Sequence, residues 1–433
     1  MQLLNYIYFL VITLLGIKFL YSSGIVVRHP LDHTQQILLD GPEMFWVLTF
    51  ATSLLAFSAD GLVVDLMALR LFVLEVLCFI GIIVVRHRPI WSMAIWGYVI
   101  YLMWIVIGCT YSPSPVFGFR VFLKYLYPFV LCLFASAAVR HEEVFLKASL
   151  GTLLVATVSL VFSFVPGFHY LVPGVFWYTT AKAINYISMM VLCLTLFFFT
   201  TDKLKFLVCT ILFLLPCFIW VLRTSIMGSL VAISAFFFIK YRVRSLPIIF
   251  IIFVAGVVAV FSIPSLRNKM FKIEYQHLTI EQFQEGKVTM EKVETNAREA
   301  MWNQLEKRFY EGHEIKGSGT GAVQHYMYSN YVFGGLTVPH SDFVQQRCDN
   351  GIIGLFLYGA VALLIFLHCL KIYHNTENVS IQMCAITAGA TMAGVYVTLY
   401  SDNVVNYSMA TLSMPFGFYG MMLGLLQEIK EKE

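Results

Sequence analysis

Long apolar runs, broken by short polar clusters, set the pattern of this chain from end to end. A helix needs about 20 mostly apolar residues to cross a bilayer. Runs of that kind fall at 2–22, 43–58, 65–85, 90–109, 121–139, 148–165, 184–200, 204–221, 224–240, 246–263, 351–370, 381–400 and 408–426. The pattern predicts an all-α polytopic membrane protein with 12 or 13 transmembrane helices. The count is open between 43 and 85. The first run there is short, and Asp65, Arg70 and Glu75 dilute the second. One piece is expected to lie in the interface or to dip in and return.

Lys and Arg in short connections set orientation. Arg86 with Arg88, Arg140 with Lys147, Lys203 with Lys205, the cluster from Lys240 to Arg244, and Lys371 all fall on one side when the spans alternate. That side is expected to be cytoplasmic, with the C-terminal tail beside it. The opposite side then carries 110–120, 166–183, the turn at Arg223, the long segment 264–340 and the turn Ser401–Asn406. Three regions follow: 1–263 with about ten spans, 264–340 as an extracytoplasmic mini-domain containing short helices, and 341–433 with the last spans and a short cytoplasmic tail. The middle region differs in kind, because nine basic residues and nine glutamates fall within it. Long loops on a rigid scaffold are where function concentrates.

Composition agrees. The 433 residues are 59% hydrophobic and only 12% charged, against about 25% charged in soluble domains, and mean hydropathy is +0.77. A net charge of +4 with 38 Phe and 23 Tyr fits neither disorder nor a nucleic-acid partner. Eight of the nine cysteines lie in or beside apolar runs, where Cys acts as a small hydrophobe; Cys348 is the exception. Neither a disulfide framework nor a thiol metal site is expected. The opening Met-Gln-Leu-Leu-Asn lacks a basic region, so 2–22 reads as a retained span and not a cleaved signal.

Candidate chemistry is sparse. His340, in Val-Pro-His-Ser-Asp-Phe, precedes the run that re-enters the membrane. It reads either as a base or as an ordinary loop histidine ahead of a helix capped by Ser341 or Asp342. Arg223 stands at a span boundary on the side where positive charge is disfavoured. It either snorkels or meets an anion. Arg120 and Lys124 repeat that pattern more weakly. In the long segment, Asn296-Ala-Arg-Glu299 resembles a capping box opening a helix to about Tyr310. Arg298, Trp302, Leu305 and Phe309 would share one face of it. An Arg in a first helical turn opposes the helix dipole, and an anionic ligand there would relieve that. Gly317, Gly319 and Gly321 could form a backbone anion nest, or a plain turn. Asp402 and Asn403 form a polar turn that could simply be solvated. Asp65, Arg70 and Glu75 would suit an ion path in a transporter or an interfacial helix.

Three stretches in order carry a resemblance: Leu222-Arg-Thr-Ser-Ile-Met-Gly228; Asn296-Ala-Arg-Glu-Ala-Met-Trp302 with Gly317-Ser-Gly-Thr-Gly321; and His340-Ser-Asp-Phe-Val-Gln-Gln with Gly351-Ile-Ile-Gly-Leu. Over roughly 205–425 the chain resembles the O-antigen polymerase and O-antigen ligase superfamily of bacterial envelope enzymes. It departs from the common pattern in having Ser341 after the histidine, and Asp349 stands where an acidic residue often precedes the Gly-Ile-Ile-Gly run. The resemblance implies a glycosyltransferase of the bacterial inner membrane that needs neither metal nor other cofactor. Its donor would be a glycan on undecaprenyl diphosphate. Carried onto this chain, Arg223 and Arg298 would hold the diphosphate and His340 would act on the acceptor hydroxyl, with inversion at the anomeric carbon.

The acceptor separates two subtypes. A polymerase extends another lipid-linked glycan and can work with a chain-length regulator, whereas a ligase delivers to lipid A core. Polymerase, of O-antigen or exopolysaccharide, is the favoured expectation. A lipid-linked glycan flippase or secondary transporter is the alternative from another class. Such proteins place ionisable residues near mid-membrane, while here the charge collects in the outer segment.

Overall fold

The computed structural model describes residues 2–29, 34–55, 66–85, 87–168, 180–285, 292–294, 298–330, 333 and 336–432. It is an all-α polytopic membrane protein. Its helices are α1 (Gln2–Leu20), α2 (Gly41–Thr52), α3 (Leu66–Val84), α4 (Met93–Thr110), α5 (Pro115–Ala138), α6 (Glu142–Ser163), α7 (Thr180–Phe199), α8 (Lys203–Ile219), α9 (Arg223–Tyr241) and α10 (Leu246–Ser262). The long segment adds α11 (Pro264–Met270), α12 (Ile280–Gln284), α13 (Arg298–Phe309) and α14 (Ala322–Asn330), followed by α15 (Asp342–Asn375), α16 (Val379–Thr398), α17 (Ser408–Thr411) and α18 (Ser413–Lys432). One antiparallel hairpin, β1 (Ile25–Arg28) with β2 (Gln36–Leu39), joins α1 to α2 in the register Ile25 to Leu39.

Seven helices among the described residues are long and apolar enough to cross a membrane, fewer than the 12 or 13 expected. The expected spans 224–240 and 246–263 form one helical stretch, Arg223–Ser262, and count once. The run at 43–58 yields only α2, whose 12 residues reach about 18 Å at 1.5 Å each, short of the roughly 30 Å hydrocarbon core. The spans expected at 2–22, 65–85, 204–221 and 408–426 are also helices: α1, α3, α8 and α18. Arg70 of α3 donates to the carbonyls of Thr52 (3.2 Å) and Leu55 just past α2, so it ties the two pieces together. Glu75 is buried, and Asp65 lies outside the described residues.

α16 is the central helix. Its Ala385, Ala388, Gly389, Ala390 and Gly394 are all buried, and small residues let membrane helices approach closely. A β-carbon on Gly394 would stand 2.7 Å from the Gly228 carbonyl oxygen of α9, so those two backbones nearly touch. The basic connections meet at one end of the bundle. Arg140 donates to the Arg88 carbonyl (3.4 Å) and stands 3.8 Å from Glu431, while Ser380 bonds Glu142 at 2.8 Å. The segment 264–330 packs on the other end, where Tyr111 donates to the Lys316 carbonyl (2.6 Å) and Thr320 N–H to the Gly108 carbonyl (3.1 Å).

Candidate active site

The expected helix of the long segment runs Arg298–Phe309. Its capping residue, Asn296, lies outside the described residues. Met301, Leu305 and Phe309 bury one stripe against Ala322, Val323, Met327 and Cys348. The expected face is therefore right, with Met301 added to it. With that stripe anchored, the first turn is aimed at the connection after α16. Arg298 Nη1 donates to the Ser401 carbonyl at 2.6 Å, and Trp302 packs edge-on against Tyr400 with ring centres 5.9 Å apart. Trp302 Nε1 also donates to the Pro339 carbonyl at 2.7 Å. One helix face thus fixes Arg298 and the residue just before His340.

His340 has φ +52°, a left-handed conformation uncommon for a residue with a β-carbon. Strain of this kind persists only where neighbours hold it. Here Ser341 caps α15 through Val344 N–H (3.2 Å), and Asp342 N–H donates to the Leu399 carbonyl (2.8 Å). The Asp342 carboxylate accepts from Val405 N–H and from Asn403 Nδ2, each at 3.1 Å. The start of α15 is thereby locked to the turn 399–405. His340 Nδ1 then stands 3.8 Å from Asp402 Oδ1, with the histidine side chain 31% exposed and Asp402 11%. The polar turn, for which solvation was one reading, is buried, Asn403 included, because the loop and the start of α15 cover it.

Arg223 reaches the same region from the other side. α8 ends in a Schellman motif: Leu222 N–H donates to the Cys217 carbonyl (2.8 Å) and Val221 N–H to that of Phe218 (3.2 Å). The left-handed position belongs to Val221, φ +51°, where glycine is usual. That sharp turn makes Arg223 the first residue of α9. Its Nη1 donates to the carbonyls of Lys269 (2.9 Å) and Glu294, and neighbouring Thr224 shares a hydrogen bond with Ser401 at 2.9 Å. Arg223 and Arg298 line one cavity of about 350 Å³, with Thr180, Asn268 and Lys269. Lys269, absent from the expected set, donates to the Trp220 carbonyl at 2.9 Å.

The weaker candidates divide. Lys124 joins the hub by donating to Asn406 Oδ1 at 2.5 Å. Arg120 is exposed on α5 over the ring of Phe117, 5.3 Å away, and has no place in the cavity. Gly317, Gly319 and Gly321 do have positive φ and do form a nest, but its anion is internal. Gly321 N–H donates to Asp349 Oδ2 (3.0 Å) and Val323 N–H to Oδ1 (2.9 Å). Gly317 and Gly319 N–H donate to the carbonyls of His313 (2.7 Å) and Asp349 (2.9 Å). These glycines hold the loop on α15 and leave no amides for a ligand, so of the two readings left open, an anion nest for a ligand or a plain turn, the geometry does not support the first. Sequence reasoning missed Asp402 and Ser401 as members of the hub. The only local signal was a Ser-Asp-Asn cluster between two spans.

Residues 208–359, about a third of the chain, match the family model described as O-antigen ligase. The matched stretch contains Arg223, Arg298 and His340. It supports placing the chain in the O-antigen polymerase and ligase superfamily of membrane glycan enzymes. No curated protein matches the chain.

Proposed function

We propose that this chain, whose residues 208–359 carry the O-antigen ligase family domain, transfers an oligosaccharide from undecaprenyl diphosphate to a sugar hydroxyl at the outer face of the bacterial inner membrane. One observation carries the reading. The two arginines share a cavity, and the turn that Arg298 grips at Ser401 continues into Asp402, which faces His340.

In the reaction, the acceptor oxygen bonds to the anomeric carbon as the bond from that carbon to the diphosphate breaks. A sugar hydroxyl is a weak nucleophile and needs a base within hydrogen-bond reach; His340 takes its proton. Asp402 orients the imidazole and offsets the charge it gains. The departing diphosphate accumulates negative charge, and Arg223 and Arg298 meet it with guanidinium donors left over from their carbonyl bonds. This scheme needs no metal. Attack opposite the leaving group inverts the anomeric centre.

Of the two subtypes, we favour a polysaccharide polymerase extending a lipid-linked glycan, and we keep ligation to lipid A core as the second reading, since the matched family is described as a ligase. A deletion strain decides between them by the size of glycan on undecaprenyl diphosphate. Single repeat units alone indicate the polymerase, and long chains held on the carrier indicate the ligase. An unchanged profile would overturn both.

A further inference from the structure

At the bundle end opposite the candidate active site, the start of α4, the last turns of α15 and the end of α18 border a groove of about 510 Å³. A second hollow of similar volume adjoins it and shares Ile90, Trp91 and Gln427. The first hollow has a long apolar wall, including Leu364, Leu367, Leu423 and Leu426, with Lys371 and Lys430 among its lining. Both lysines are exposed, and neither has an ion-pair partner among the described residues. The second hollow holds Arg88, Arg140 and one acid, Glu431.

Arg140 is the distinguishing feature. It is only 4% exposed, and its Nε and Nη1 have no hydrogen-bond partner among the described residues. Glu431 stands 3.8 Å from Nη1, beyond hydrogen-bond distance. Among the described residues Arg140 makes one hydrogen bond, from Nη2 to the Arg88 carbonyl, and it is 3.4 Å long. A buried guanidinium with unmet donors is costly, and an acceptor with several oxygens would satisfy it. The lining therefore combines four cations and one acid with an apolar wall, and Glu428, outside the lining, is a second carboxylate acting on Arg140.

We propose that this groove binds an anionic phospholipid, with its phosphate against Arg140 and the two lysines and an acyl chain along the leucine wall. Basic hollows between membrane helices are suited to such headgroups. Trp91, tilted against Trp96 with ring centres 4.9 Å apart, supplies an aromatic anchor of the kind found at headgroup depth. The site is independent of glycan transfer.

The test is native mass spectrometry of the purified full chain after exchange into phosphatidylcholine nanodiscs doped with phosphatidylglycerol. The wild-type chain should retain phosphatidylglycerol in preference to phosphatidylcholine. Lys371→Gln with Lys430→Gln, both surface changes that spare the fold, should weaken that retention at least about tenfold. Arg140→Gln should weaken it further, and a melting curve shows whether that variant still folds. Equal retention of both lipids by the wild type, or unchanged retention in the lysine double variant, overturns the proposal. So does displacement of phosphatidylglycerol by undecaprenyl phosphate at equal concentration, which would assign the groove to the carrier lipid.

Discussion

His340 and the two arginines differ in how much of each side chain the protein already occupies, and that difference sets what substitution should do. Among the described residues His340 makes one polar approach, to Asp402, so His340→Ala should leave folding intact and lower glycan transfer by about 100-fold or more, the usual worth of a positioned base. Asp402→Asn should cost less, because it removes orientation and charge compensation but leaves the base. Measured turnover with lipid-linked glycan and purified protein checks both. Full turnover in His340→Ala at normal protein level would sink the catalytic assignment. Arg298 spends one nitrogen on Ser401, whereas Nη1 of Arg223 is held by two carbonyls that anchor the stretch after α10. Arg298→Lys keeps the charge and loses the planar fork. It should fall about tenfold or more in turnover with little change in melting temperature. Arg223→Ala should lower both, and a normal melting temperature would show that its carbonyl contacts are dispensable.

Among the elements, the glycine loop and α15 form a unit that no local pattern announces. α15 breaks at Gly351, where φ is +66° and a β-carbon would meet the Ile315 carbonyl oxygen at 2.2 Å. The loop 314–317 runs through that gap. Gly319 and Gly312 test the arrangement as a pair. Both have positive φ, but a β-carbon on Gly319 would stand 2.5 Å from Ser112 Cα, whereas nothing lies within 4 Å of one on Gly312. Gly312→Ala should cost only the left-handed penalty of roughly 1–2 kcal/mol, and Gly319→Ala clearly more, read as melting temperatures in detergent. Asp349→Ala strands the N–H groups of Gly321 and Val323, each worth about 1–3 kcal/mol when buried and unpaired. It should lower stability without altering the arginine cavity. The sequence left the three glycines between an anion nest and a plain turn because φ preferences are local. The anion that fills it comes from 28 residues downstream, and that pairing is a product of tertiary packing. The same reason hid the burial of Asp402 and Asn403, whose cover is the start of α15 and not their chain neighbours.

For the whole molecule, the features legible in the sequence were those that bilayer thickness and charge placement impose directly. Apolar runs become helices because unpaired backbone is costly in lipid, and the expected spans from 90 to 263 recur as helices with small shifts at their ends. The run at 43–58 was legible as short, and it gives a helix of 12 residues, but composition does not show that the helix ends before Ser53. The structure puts Arg140, Glu431 and Ser380 at one end and the segment 264–330 at the other, but geometry alone does not say which end meets the cytoplasm. The excess of Lys and Arg in short connections predicts that it is the first, and on that basis we propose that the arginine cavity lies outside. A cysteine replacing exposed Glu311 should react with a membrane-impermeant maleimide added to spheroplasts. A cysteine replacing Lys371 should react only after lysis. The half-buried Cys109 and Cys209 are changed to Ala beforehand to silence the background. The reverse pattern would put the cavity on the cytoplasmic side, where a lipid-linked donor displayed outward could not reach Arg223 or Arg298, and the proposed transfer would fall with it.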